Sequence, residues 1–505
     1  MNNPYIVLPI ILQLVAAVVL MFFWTKTKAQ KVLSIIFSVA AVLVAAYLLV
    51  EVWHSGILIT QSGNWKAPFG ITFVADLLGV TLVLVSSIAA LGVSIFSAGS
   101  MREERLKFGY YPVFHFLVMG LQGAFLTGDI FNLYVWFEVI IISSFVLMTL
   151  GGKKAQLEGA IKYVSLNLLA SSLFLIGIGF LYGLTGTLNM ADLSIKIKEI
   201  QNIGLVNVTG GLFLVAFGIK SAIFPMYFWL PASYHTPPPA VTAIFGGLLT
   251  KVGVYAMLRT FSLIFGGDEF MTVTISIIAA LTILGGAFGA MSHRHMSKIF
   301  GYLIISHIGF MMVGISIFTE IALLGTIFYL IHDIIVKTNL FMVSGLVLKI
   351  NGTQDIKDLG GLYKSYPLLS LLMAIPLFSL VGIPPLSGFW AKIFFVEGAL
   401  EAGDYLLVIS VILGSFLTLW IIGKVWTEVF WKKGENLPKQ ANGVYFDELP
   451  PIGKWSMVFP MLLLSFVSLY IGLGAKHVIS LSQKIATELV DPSSYIQVVL
   501  QNQVP

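Results

Sequence analysis

Fourteen stretches of this chain are apolar for long enough to cross a lipid bilayer: residues 4–24, 31–51, 72–98, 110–127, 129–150, 160–186, 206–229, 239–262, 271–291, 297–318, 321–349, 367–401, 405–430 and 455–474. In hydrocarbon every backbone polar group needs a partner inside the protein, so runs of about 20 apolar residues mean helices. With 58% hydrophobic residues over 505 positions, the chain has more apolar surface than one water-soluble core can take in. The expected fold is all-α, a polytopic membrane protein of about fourteen transmembrane helices. No basic segment precedes the first run, so it is expected to stay as a helix rather than act as a cleaved leader.

Charge supports this reading. With the N-terminus outside, the inner loops carry eighteen Lys and Arg, among them Lys26, Arg102, Lys153, Arg294, Lys357 and Lys439. The outer segments carry six: Lys66, Lys196, Lys198, Arg259, Lys476 and Lys484. Such a bias is the positive-inside pattern; it supports the helix count and predicts both termini outside. It also accounts for the net charge of +5 without a nucleic-acid partner. The chain has no cysteine, which excludes iron–sulfur clusters, thiolate zinc sites and disulfides. No phosphate loop, HExxH or nucleophile elbow is present, so no catalytic residue, cofactor or metal is expected, and a transporter is favoured over an enzyme.

Two of the runs are interrupted by proline. The seventh reads AFGIKSAIFPMYFWLP, with Pro225 shortly after Lys220; the twelfth reads FSLVGIPPLSGFWAKIFF, with Pro384 and Pro385 before Lys392. Proline removes a backbone donor and clashes with the preceding turn, so both helices should break. Broken backbone at membrane depth survives beside protein or a water-filled cavity, and paired breaks point to inverted transporter repeats. The expected repeats are helices 4–8 and 9–13, dividing the chain into 1–109, 110–265, 266–431 and 432–505.

Five charges lie inside the runs: Glu138, Lys220, Lys251, Lys337 and Lys392. Each costs about 2.5–3.5 kcal/mol at a helix centre, so together they cost roughly 10–15 kcal/mol. Retaining them points to an ion or proton path. Glu138 is either a salt bridge joining helices or half of a switchable pair with Lys220, and the switch is favoured. Lys251, among Gly246, Gly247 and Gly253, is either packed or facing a cavity, and the cavity is favoured. In LIHDIIVKTNLFM, Asp333 and Lys337 have the spacing of a local i, i+4 pair, while His332 suits a relay. Lys392 is the best terminal donor. His307 reads equally well as relay or packing, Lys424 and Glu428 as a local pair, and Asp76 as interfacial or a subunit contact. No cluster of carboxylates suggests a sodium cage, so this chain is expected to carry protons while sodium moves elsewhere.

Long ordered blocks now carry a resemblance. FNLYVWFE ending at Glu138, GIKSAIFPMYFWLP, HTPPPAVTAIFGGLLTKVGVYAMLR, SKIFGYLIISHIGF and GIPPLSGFWAK ending at Lys392 resemble the antiporter-like family shared by Mrp-type Na⁺/H⁺ antiporters and the membrane arm of respiratory complex I. NLYVWFEV and the block around Lys251 are most similar to the D branch of the Mrp antiporters. The resemblance implies that Glu138 modulates Lys220, and that protons pass through Lys251 and His332 or Lys337 to Lys392. It further implies the A, B, C, E, F and G subunits as partners, with Na⁺ exchanged for H⁺. The alternative it leaves is a proton-pumping subunit of complex I or of a membrane-bound hydrogenase.

Overall fold

The computed structural model describes residues 3–433 and 445–500; Lys439 lies outside them. The described chain is helical apart from one hairpin. Twelve of its helices are long and apolar enough to cross a membrane. In chain order the main helices are α1 (Pro4–Phe22), α2 (Thr27–Ser55), α3 (Leu77–Ser100), α4 (Tyr110–Leu126), α5 (Ile130–Thr149), α6 (Lys154–Thr185) and α7a (Ile203–Ser221). After the first break come α7b (Trp229–Ser233), α8 (Pro239–Leu263), α9 (Glu269–Met291), α10 (Met296–Ile317) and α11 (Glu320–Asn351). The remainder are α12a (Pro367–Val381), α12b (Ser387–Glu401), α13 (Tyr405–Trp431), α14 (Pro451–Leu473), α15 (Ala475–Val490) and α16 (Ser493–Leu500).

Carboxylates set several helix starts. Asp76 accepts from Gly79 N, Asp129 from Asn132 N, Asp268 from Met271 N and Asp404 from Leu407 N, each satisfying a donor that the first turn leaves free. The third apolar run was expected from residue 72, yet α3 begins at Leu77. Residues Thr72–Ala75 instead form a strand, β2, paired antiparallel with β1 (Leu58–Gln61) in the register Leu58↔Ala75. β1 alternates part-exposed and buried side chains, and β2 is buried except at Phe73, which suits a hairpin folded against the helix ends.

Burial sorts the helices by polarity. The most apolar window of α8 is 100% buried and those of α10 and α11 are 94% buried, whereas α1, α2 and α6 bury 39%, 28% and 39%. The helices that carry Lys251, His307, His332 and Lys337 are thus the central ones, and outer helices with apolar surfaces surround them. Such an arrangement keeps charge away from lipid.

Both expected breaks are present, and they share a pattern. The first helical piece ends in a left-handed residue, Ala222 (φ 62) in α7 and Gly382 (φ 83) in α12, and three positions later comes a cis proline, Pro225 or Pro385. After α14 the described chain continues as two further helices, α15 and α16. The inward face of α15, Val478, Ser482, Ile485, Ala486 and Leu489, is buried. Gln483 Nε2 and Thr487 Oγ1 donate to Glu320 Oε1 at the start of α11 (2.7 and 2.6 Å), and Lys484 sits over the Trp53 ring of α2.

Candidate proton-transfer file

The first break holds Lys220 at the end of α7a. It is 4% exposed, donates to Ser171 Oγ of α6 at 3.1 Å, and lies 4.5 Å from the centre of the Phe137 ring on α5. Glu138 is part-buried on α5. Among the described residues it makes no ion pair and its Oε1 has no hydrogen-bond partner, although it is within electrostatic reach of Lys220. Lys220, Tyr163, Asn167, Trp229 and Leu249 border a cavity of ≈ 10 Å³, room for about one water. Leu249 brings α8 to this cavity, while Lys251 is not among its lining residues.

Lys251 is fully buried. Its Nζ is 2.7 Å from Asp333 Oδ2 of α11 and donates to the Gly246 carbonyl at 2.8 Å. Gly246 belongs to a π turn, Phe245–Leu249, inside α8; widened turns of this kind recur at functional sites. Asp333 Oδ1 faces His307 Nδ1 of α10 at 3.2 Å, and the same nitrogen is 2.8 Å from the Tyr329 hydroxyl. His307 Nδ1 either gives a proton to the carboxylate or accepts one from the phenol, so its tautomer selects between two neighbours.

The local pair expected between Asp333 and Lys337 is therefore replaced by a pair between helices. Asp333 pairs across to α8, and the lysine one turn along its own helix is left without it. Lys337 is fully buried with no hydrogen-bond partner among the described residues, and lies within electrostatic reach of Asp333, Lys251 and Lys392. His332 Nδ1 is 2.7 Å from Ser387 Oγ. Lys392, on α12b, donates to the Val381 carbonyl across the second break at 2.6 Å and lies 5.4 Å from the Phe310 ring centre.

The structure thus gathers Lys251, Asp333, His307, Lys337, His332 and Lys392 into one enclosed group, while Lys220 borders the small cavity at the first break with Glu138 within electrostatic reach. Asp333 and His307 join the six expected residues; a unit positive charge deep in α8 was the signal that a carboxylate had to face it. Asp76 caps α3, and its Oδ2 is 2.6 Å from Arg259 in a buried pair near one end of α8. Glu428 pairs with Lys432 (3.4 Å) rather than with Lys424, which covers the Trp420 ring. At the other end of the bundle a cavity of ≈ 390 Å³ is bordered by Arg102, Arg105, Lys153, Lys349, His235 and His295. Burial, and then Lys298, lowers both imidazoles, His235 to about 4, so His235 carries no charge near neutral pH.

Residues 127–418 match the family described as NADH:quinone oxidoreductase/Mrp antiporter, TM. The chain is 41% identical over 502 residues to the D component of the Na(+)/H(+) antiporter of Alkalihalophilus pseudofirmus, covering 99% of this chain and 100% of that protein. Among solved structures, a chain of the Mrp complex from Dietzia sp. DQ12-45-1b superimposes with a TM-score of 0.91 at 30% identity, covering 98% of this chain and 99% of that one. A chain of the membrane-bound sulfane sulfur reductase, an archaeal respiratory membrane complex, superimposes with a TM-score of 0.89 at 27% identity, covering 99% and 100%.

Proposed function

The chain belongs to the NADH:quinone oxidoreductase/Mrp antiporter transmembrane family, and from that premise we propose that it is the proton-translocating subunit of a multi-subunit Na⁺/H⁺ antiporter in a bacterial cell membrane. Its partners are the A, B, C, E, F and G subunits of the Mrp complex, and its work is secondary transport rather than catalysis. The observation that carries this reading is the enclosed group centred on Asp333, where a lysine–aspartate pair at 2.7 Å stands beside two histidines and further buried lysines. Groups that exchange protons at such spacing, kept from lipid by a shell of apolar helices, form a transfer file.

In this reading Glu138 acts on Lys220. When the carboxylate closes on the ammonium the lysine holds its proton, and when the pair is apart, as here, the proton is free to move. Transfer runs from Lys220 past the cavity to Lys251, through His332 and Lys337, and ends at Lys392. The N- and C-termini lie outside, the basic loops inside, and helices 4–8 and 9–13 form two inverted repeats about the file. In vesicles bearing the complete complex, Lys220→Ala and Glu138→Gln are expected to lower Na⁺-dependent proton flux, the former by about 100-fold or more. Normal flux through an assembled Lys220→Ala complex overturns the file.

The likeness to the sulfane sulfur reductase chain favours one other reading, a proton pump powered by redox partners. Proton flux driven by a Na⁺ gradient with no electron donor present separates the two.

A further inference from the structure

His332 stands where α11, α12b and α14 meet. Its Nδ1 is 2.7 Å from Ser387 Oγ, that oxygen is 3.1 Å from Ser468 Oγ of α14, and Ser468 donates to Ser379 Oγ of α12a over 3.2 Å. His332, Ser387 and Ser379 are fully buried and Ser468 is 1% exposed. Ser468 lies beyond the residues the family match covers, and the lysine file makes no use of these hydroxyls.

Each hydroxyl has a single proton. Because Ser468 gives its proton to Ser379, the Ser387–Ser468 contact needs the proton of Ser387. Ser387 then offers only lone pairs to the ring. All three contacts are satisfied together only when Nδ1 carries the imidazole proton and donates it. A neutral His332 therefore presents a bare Nε2. That nitrogen makes no hydrogen bond among the described residues. It faces Gly388, where an added Cβ would stand 3.1 Å from it. Gly388 lies one helical turn before Lys392 on α12b.

We propose that Ser387, Ser468 and Ser379 are positioning residues that hold His332 in the Nδ1–H tautomer, so that Nε2 is the atom exchanging protons with Lys392. In the step, an N–H bond of the Lys392 ammonium breaks and an Nε2–H bond forms. The lysine becomes a neutral amine and the ring an imidazolium whose Nδ1–H stays on Ser387; the reverse transfer restores both. This deepens the reading of His332 as a relay and rests on it.

The test is Na⁺-dependent proton flux against pH in vesicles bearing the complete complex, for Ser387→Ala, Ser468→Ala, Ser468→Thr and His332→Ala. Ser465→Ala is the control, since Ser465 on the same helix accepts from Asn339 instead. Loss of the acceptor should lower flux about tenfold in Ser387→Ala and less in Ser468→Ala, with a displaced pH profile in both. Ser468→Thr should restore the wild-type profile and Ser465→Ala leave it unchanged. Wild-type profiles in both alanine variants, with His332→Ala inactive, overturn the tautomer assignment and leave the relay standing. Full flux in His332→Ala overturns both. Should Ser387→Ala fail to assemble, the Ser468→Ala and Ser468→Thr pair decides alone.

Discussion

The two helix breaks present the same backbone fault and resolve it with different side chains. In α7 the Ile219 carbonyl is taken by the indole of Trp229 at 2.9 Å, and the Phe224 N–H is taken by Thr282 Oγ1 at 3.0 Å. Lys220 is left with one hydroxyl and an aromatic face. In α12 the Val381 carbonyl is taken by Lys392 itself. A neutral indole frees the first lysine from structural duty; the second break makes its lysine part of the scaffold. The first site is therefore suited to being switched by Glu138, and the second to holding a fixed end point.

Lysine-to-methionine exchange at each break tests this contrast most strongly. Both Lys392→Met and Lys220→Met should lower antiport flux by about 100-fold or more, measured in vesicles. They should part company on stability. Lys392→Met leaves the Val381 carbonyl buried without its donor and should destabilise by about 1–3 kcal/mol, whereas Lys220→Met orphans only a serine hydroxyl and should be close to neutral. Equal thermal shifts of the two purified variants would break the comparison.

A smaller effect is expected from Trp229→Phe. It removes the indole donor, leaving the Ile219 carbonyl with the Ala222 N–H alone and one acceptor position open to the Lys220 ammonium. Flux should fall about tenfold, with the response to Glu138→Gln blunted, because Lys220 then resembles Lys392. An unchanged response to Glu138→Gln in the Trp229→Phe background removes the indole from the switch.

The smallest effect belongs to the far cavity. His235 is held to about 4, below the ordinary imidazole value, so it binds no proton between pH 6.5 and 8. Its depressed value stabilises the fold above the unfolded pKa of about 6.5, and that contribution is lost as pH falls through about 4. His235→Gln should leave the flux profile flat relative to wild type from pH 6.5 to 8. A displaced profile would place this imidazole in the path.

Hydropathy and proline spacing made the architecture legible because lipid restricts the choices so severely. A helix lies over each apolar run, and both breaks fall where Pro225 and Pro385 place them. The site was legible as a set of residues and not as a set of contacts. Asp333 has an ideal local spacing to Lys337, and only the approach of α8 to α11 shows that Lys251 displaces it. The same applies to Glu428, whose two candidate partners, Lys424 and Lys432, are equally spaced on either side of it. The hairpin hid because its second strand runs directly into an apolar helix. The α15 strap was readable in principle, from apolar or small residues at 478, 482, 485, 486 and 489, a helical period within a segment too polar to span.

The π turn in α8 has one further consequence. A π turn is an α-helix that has taken in one surplus residue, and each residue of an α-helix turns the side chain about 100° around the axis. Phe245–Leu249 therefore acts as an insertion that rephases everything after it. Without the surplus residue, the ammonium now facing Asp333 would look about a quarter-turn away, toward other neighbours. The alignment of the central ion pair thus depends on a single residue of chain length, upstream of either charge.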